Sequence, residues 1–305
     1  MAIAILDFGT NTFNLLIAER KGRGFNILYT GKQPVKLGRG GIQANFITPD
    51  AFERGFVAIQ NHMETIRSFE VDEIRAFATS AIRNAGNGND FVEQVHKKFG
   101  FRVRVIPGER EAELIFKGVR QAIRLEEQRV MILDIGGGSN EFIICNRDGV
   151  IWKRSFELGM ARILELFNPS DPVTEEEIKA IESFLQQKLA PLFEAVRREK
   201  PLALIGASGS FDTFYALMKN RYGISDEGTH GRELPLRTYR KLHKLLLQST
   251  LRERKVMPGM EPVRVEMIVP ATIFVSFVLR ECGIERLYHS EFALKEGVIS
   301  ELVGI

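Results

Sequence analysis

Two stretches of this chain, Asp7-Phe8-Gly9-Thr10-Asn11-Thr12 and Asp134-Ile135-Gly136-Gly137-Gly138-Ser139, share one form. In each, an apolar run ends on aspartate, a turn of glycine and small polar residues follows, and a second apolar run begins. Glycine lets backbone N–H groups face a ligand at angles that other residues avoid. Successive N–H groups in such a turn make an anion-binding concavity. Thr10, Asn11, Thr12, Ser139 and Asn140 add side-chain donors. The leading aspartates Asp7 and Asp134 repel a bare phosphate, so a cation or ordered water belongs between them and the anion. Mg²⁺ suits that place, because it sits on one or two carboxylates plus phosphate oxygens. Asp-x-Gly alone is common, and two unrelated tight hairpins would read the same. Two copies, each opening a half of the chain, favour a phosphate site.

Apolar runs and amphipathic stretches alternate around these turns, which predicts an α/β fold. Strands are expected at 3–6, 14–20, 24–29, 74–78 and 101–106, and helices at 49–69, 90–99 and 109–125. Thr48 and Pro49 read as the start of the first helix, and Gly100 as the end of the second. The pattern restarts at 130–133, with strands at 141–145, 150–156, 202–205 and 286–289. One long helix is expected over 174–198, helical patterns from the turn at 206–210 to residue 284, and a last helix over 292–302. A composition shift at 125–129 divides the chain into 1–124 and 125–289.

The 305 residues are 44% hydrophobic, enough for a sizeable core, and the net charge is only +3. No apolar run reaches the roughly 18 residues that span a membrane. The first residues lack a basic leader and read as a strand rather than a signal peptide. Cys145 and Cys282 have no metal-like spacing, which points to core packing and a reducing, cytoplasmic setting. Basic clusters at Arg20-Lys21-x-Arg23, Lys97-Lys98, Arg197-Arg198 and Arg252-x-Arg254-Lys255 read as solvated helix ends and loops. No aromatic interleaving or nucleic-acid module accompanies them, so no nucleic-acid partner is expected.

A third turn, Gly206-Ala207-Ser208-Gly209-Ser210, opens a helix and aims N–H groups at an anion. A hydrolase elbow on Ser208 would need glycine at 210, where serine stands. P-loop and zinc-protease motifs do not occur. Hydrolysis of a phosphoanhydride needs an oriented water, a base and positive charge on the equatorial oxygens. Glu109, Glu111 and Glu113 open a helix, where acids are favoured on dipole grounds alone. Glu141 sits among strand apolars, where a carboxylate needs a metal, water or hydrogen-bond partner. Arg83 follows a strand end and reads either as a bidentate phosphate grip or as a plain surface arginine.

Together these residues resemble a family. The set is Asp7-x-Gly9-Thr10-Asn11-Thr12, Ala78-Thr79-Ser80-Ala81-Ile82-Arg83, Gly108-Glu109-Arg110-Glu111-Ala112, Asp134 to Glu141, Leu158-Gly159 and Gly206-Ala207-Ser208-Gly209. It is similar to the exopolyphosphatase/guanosine pentaphosphate phosphohydrolase family of the actin, sugar-kinase and heat-shock ATPase superfold. The resemblance implies two ribonuclease-H-like lobes with the active site between them, and a segment at about 290–305 that returns to the first lobe. It implies that Glu111 positions the attacking water, that Asp134 and Glu141 hold Mg²⁺ with Asp7 near them, and that Gly9 to Thr12 and Gly136 to Ser139 cradle phosphates. Arg83, Ser208 and Gly209 would assist. The implied reaction releases orthophosphate from inorganic polyphosphate, or the 5′-terminal phosphate of guanosine pentaphosphate. A phosphotransferase of the same superfold and a non-catalytic sensor of polyphosphate or alarmone are the remaining readings. The form is the short, two-lobe one, and a homodimer is one way for it to grip long chains. Several positions depart from the family pattern. Thr10 and Thr12 replace serines, Asn140 replaces a threonine, and Glu291-Phe292 and Lys295 replace Asp-Gly and arginine.

Overall fold

β1 (Ala2–Phe8) carries Ala4, Leu6 and Phe8 toward one core and Ile3 and Ile5 toward another, so it is apolar on both faces and must lie mid-sheet. β2 (Thr12–Lys21) and β3 (Gly24–Pro34) extend from it as an antiparallel meander. The helices α1 (Pro49–Arg67), α2 (Ser80–Asn84) and α3 (Gly88–Phe99) are interspersed with β4 (Glu73–Ala78) and β5 (Val103–Val105). β4 and β5 add in parallel on the other side of β1, giving the order β3-β2-β1-β4-β5. The Thr48 hydroxyl accepts the Ala51 N–H to cap α1, and Gly100, at φ 82°, ends α3. α4 (Gly108–Ala122) follows. This computed structural model describes residues 2–22, 24–225 and 232–304. Met1, Arg23 of the first basic cluster, the helical pattern expected across 226–231, and the end of the expected last segment lie outside them.

The arrangement then repeats. β6 (Val130–Ile135), β7 (Asn140–Asn146) and β8 (Gly149–Phe156) form a second meander. After α5 (Met160–Phe167), α6 (Glu175–Lys188) and α7 (Ala190–Glu199), β9 (Leu204–Ala207) pairs in parallel with β6. α8 (Gly209–Tyr222), β10 (Arg232–Glu233), α9 (Leu236–Gln248), α10 (Leu251–Lys255) and α11 (Ile268–Glu281) precede β11 (Leu287–Ser290). The sheet order is β8-β7-β6-β9-β11-β10. Apart from the edge strand β10, it matches the first sheet strand for strand and direction for direction, so each half is a ribonuclease-H-like lobe. Among the described residues no helix is long and apolar enough to cross a membrane.

The single helix expected over 174–198 is two. Thr174 and Glu177 form a capping box that starts α6, and the helix stops at Leu189. Pro191 lacks the N–H that would bond the Gln187 carbonyl, and it restarts the chain in the first turn of α7. The short helices α2 and α5 are not among the expected elements.

The last helix, α12 (Leu294–Val303), packs on β1, β2 and β3 of the first sheet, although it follows β11 of the second. Reciprocally, α4 follows the first sheet but packs on β7 and β8 of the second. The two helices pack on each other in a shared core that joins Ile3, Ile5 and Leu16 to Ile132, Ile143 and Ile205. Their crossing has no room for side chains. A Cβ at Gly118 would overlap the Ala293 carbonyl, and one at Gly297 would overlap the Leu114 carbonyl. Gly297→Ala must therefore push α12 off α4, an overpacking cost of about 1–3 kcal/mol. The expected result is a Tm lower by several degrees. An unchanged melting curve would show that the two helices do not need their close approach.

Candidate active site

The ends of β1 and β6 that carry the duplicated turns open into one cleft between the sheets. Asp7, Gly9, Thr10, Asn11, Thr12, Glu111, Asp134, Gly136, Gly137, Gly138, Ser139, Ser208 and Gly209 all line it. Both turns are closed by the same bond. The Gly9 N–H donates to the Thr12 carbonyl at 3.1 Å, and the Gly136 N–H to the Ser139 carbonyl at 3.0 Å. The turns meet tip to tip. A Cβ at Gly137 would strike the Asn11 amide, and one at Gly138 would strike the Ser80 and Thr10 hydroxyls. Asn11 spends its side-chain N–H on Met267 Sδ at 2.9 Å, across the lobes. Asn140 is not among the lining residues and donates to the Leu158 carbonyl at 2.8 Å.

Register carries the duplication further and then breaks it. Asp7 lies opposite Asn14 across β1 and β2, and Asp134 lies opposite Glu141 across β6 and β7. Asn14 donates to Asp7 at 2.9 Å. Asp134 instead faces a second carboxylate, and like charges directly opposite oppose pairing. Burial pushes Asp134 up to about 7, against the Ser208 hydroxyl that donates to it at 2.6 Å. Burial also raises Glu141 well above the carboxylate range, helped by the charges of Glu111 and Asp134. Hydroxyls of Ser139 and Ser155 donate to Glu141, each at 2.7 Å, and oppose that rise. Ser208 holds its bond from a φ of 68° and ψ of 177°, a region L-residues avoid at a cost of about 1–3 kcal/mol.

Glu111 enters the cleft from the first turn of α4 and is 8% exposed. Burial pushes it up to about 8, although Arg83 donates to it at 2.8 Å. Arg83 also donates to the Ile106 carbonyl at 3.1 Å and reaches Ser139 at 3.5 Å. It stands behind the cleft wall rather than in it, as does Glu141, and it is no plain surface arginine.

Four basic or acidic groups of the cleft were not among the candidates. Lys295 lines it from α12, with Glu296 at 4.0 Å. Burial works to lower Lys295, but Glu296, Asp7, Asp212 and Asp134 outweigh it and raise the ammonium. Arg264 is 6% exposed and packs on Gly209, and its Nε has no hydrogen-bond partner among the described residues. Lys32 lines the rim, bound to Glu261 at 3.0 Å. Asp212 pairs with His289 at 2.8 Å, which with nearby cations holds its carboxyl below the usual range despite burial. Lys295 belongs to a motif the sequence did show. Arg264 lies in an ordinary stretch and carried no signal. Phe292, in place of the family's glycine, packs on Phe25 at 6.3 Å, and Glu291 pairs with Arg232 at 2.6 Å.

The donors around Asp134 and Glu141 are oxygens, which suit a hard cation. No three acidic, histidine or cysteine side chains among the described residues converge as a metal cage. A hard cation here would have to take its further oxygens from water or from a phosphate.

A model of the Ppx/GppA phosphatase family matches residues 16–304. The chain belongs to this family. Exopolyphosphatase 2 of Mycobacterium tuberculosis is 27% identical over 316 residues, across 99% of this chain and 98% of its own. The crystal structure of an exopolyphosphatase from Cytophaga hutchinsonii superposes with a TM-score of 0.95 at 35% identity, covering 100% of this chain and 98% of that one. An Aquifex aeolicus Ppx/GppA structure gives 0.80 at 28% identity, covering 100% and 98%. The two-lobe architecture is thus that of the Ppx/GppA proteins, and a phosphatase of this family is what the cleft must be read as.

The raised carboxyls make the family cleft a pH-sensitive element. Glu111 and Asp134, raised to about 8 and about 7, hold protons in the folded state that the unfolded chain has already released above about pH 5, and the upward shifts of Asp7 and Glu141 act in the same direction. The folded state binds more protons, so stability falls as pH rises through about 7 to 8. Protein stripped of divalent cations should lose several degrees of Tm between about pH 5.5 and 8.5. Thermal melts across that range test this, and a flat or rising Tm refutes the assignment of raised carboxyls.

Proposed function

We propose that the protein is an exopolyphosphatase that hydrolyses the terminal phosphate of inorganic polyphosphate with Mg²⁺. The observation that carries this reading is the cleft lining. It joins two turns of backbone N–H groups, buried carboxylates and the cations Lys32, Arg264 and Lys295, and among the described residues it includes no aromatic ring on which a purine would stack. A bare phosphate chain matches that chemistry better than a guanosine nucleotide. The relatives named exopolyphosphatase support the same choice.

The terminal phosphoryl group lies between the facing turns, where N–H groups of residues 10–12 and 137–139 bind its oxygens. Glu111 accepts the proton of the attacking water, and Arg83 holds its carboxylate in place. A base raised to about 8 suits work near neutral pH. Lys295, Arg264 and Lys32 neutralise the remaining chain. Asp134 and Asp7, which line the cleft with Glu141 behind its wall, would hold Mg²⁺, which when bound offsets charge on the phosphate oxygens.

Glu111→Gln removes the base but keeps its shape, in a site that already favours an uncharged carboxyl. Phosphate release from polyphosphate should drop at least about 100-fold, with Tm unchanged or higher. Retained release would remove Glu111 from this role. Polyphosphate and guanosine pentaphosphate assayed side by side, with Mg²⁺ and after chelation, decide the substrate and the metal. Faster turnover of the nucleotide overturns the substrate assignment, full activity in chelator overturns the metal, and tight binding without turnover makes the protein a sensor.

A further inference from the structure

Glu157 lies on the short connection between β8 and α5, with its carboxylate between guanidinium groups from opposite lobes. Arg83 Nη2 is 3.3 Å from Oε1, and Arg162 Nη2 is 3.4 Å from Oε2. The Ser80 hydroxyl donates to Oε2 at 2.8 Å. The cations are fixed. Arg162, in α5, donates Nε to the Gly138 carbonyl at 3.0 Å and Nη1 to the Ile42 carbonyl at 2.8 Å, and its Nη2 also reaches Asn45 at 3.3 Å. Arg83 is held by Glu111 and the Ile106 carbonyl. The side chains of Arg83 and Arg162 are 15% and 13% exposed, whereas that of Glu157 is 44% exposed. The anion is therefore the movable member of the group. Glu157 and Arg162 also line a second cavity, of about 340 Å³, with Gln43, Phe184 and Lys188. A rotation into it takes the carboxylate to water.

Two guanidinium Nη2 groups and a hydroxyl that converge on one carboxylate are donors that also suit a tetrahedral oxyanion. We propose that Arg83, Arg162 and Ser80 form an anion-binding site adjoining the turn-lined cleft, filled by Glu157 in the free protein and by orthophosphate once Glu157 swings out. The exchange is close to balanced. Ion pairs of a half-exposed carboxylate contribute little, and a phosphate dianion brings a second charge to the same two cations. The site itself rests on the donors. Only the source of the ion, released product, rests on the phosphatase reading.

Titration of inorganic phosphate into the full chain by calorimetry, without polyphosphate or metal, tests the site without turnover. Glu157→Gln should bind orthophosphate about tenfold more tightly than the wild type, the effect of two weak ion pairs released. Adding Arg162→Gln should abolish that gain. Should this double variant be unstable, Glu157→Gln with Ser80→Ala carries the same comparison. Equal affinity in wild type and Glu157→Gln, or a gain that survives both second changes, overturns the site. Tripolyphosphate titrated in parallel identifies the ligand: a gain confined to orthophosphate supports a product seat, and an equal gain for both supports a seat for the chain end. A wild type that fails to hydrolyse polyphosphate leaves this titration readable, so the two readings fail separately.

Discussion

Glu111, Asp134 and Glu141 are almost entirely withdrawn from water, and a carboxylate without water needs a proton, a cation or several hydrogen bonds. The surroundings supply all three in part. Serine hydroxyls from three different segments, Ser139, Ser155 and Ser208, turn toward them. Arg83 meets Glu111, and the ammonium of Lys295 faces Asp7 and Asp134. The strained backbone at Ser208 is explained by the same need, since it brings that hydroxyl onto Asp134. What these partners leave incomplete is the compensation of the carboxyls themselves, whose titration stays shifted upward in spite of them.

Much of this was legible because it is local. A strand, an aspartate, a glycine turn and a strand are neighbours in sequence, so both halves of the cradle could be read from two short stretches. Glu141 stood out as an acid in an apolar run. Glu111 did not stand out from Glu109 and Glu113 on physical grounds, and only resemblance separated it from them. Its burial beside Arg83 depends on where α4 lands, which is a tertiary fact. Arg264, Lys32, Arg162 and Glu157 were illegible for a different reason. Long charged side chains in ordinary surroundings look alike, and their roles come from partners more than 70 residues away, as with Lys32 and Glu261 or Glu157 and Arg83. The break between α6 and α7 was legible at Pro191, but the apolar periodicity across it masked the proline.

The two lobes are copies in topology but not in charge. At equivalent places in the register one carries Asp7 with Asn14, a bonded and quiet pair, and the other Asp134 with Glu141, an opposed and unquiet one. The amide of Asn14 in one lobe and the carboxyl of Glu141 in the other thus separate a strand pair joined by a hydrogen bond from one that sets two acids side by side.

The exchange of α4 and α12 between the sheets gives the molecule a seam of an unusual kind. Each lobe is held by the other's helix, and the two helices touch backbone to backbone at Gly118 and Gly297. Such a contact resists separation, because pulling the lobes apart there would strip both sheets of their inner cover. It resists rotation far less, since glycines present no side chains to collide. The molecule is therefore bound like a book at the helix crossing, and across the cleft the lobes meet again through turns and side chains, at Gly137 with Asn11 and at Asn11 with Met267.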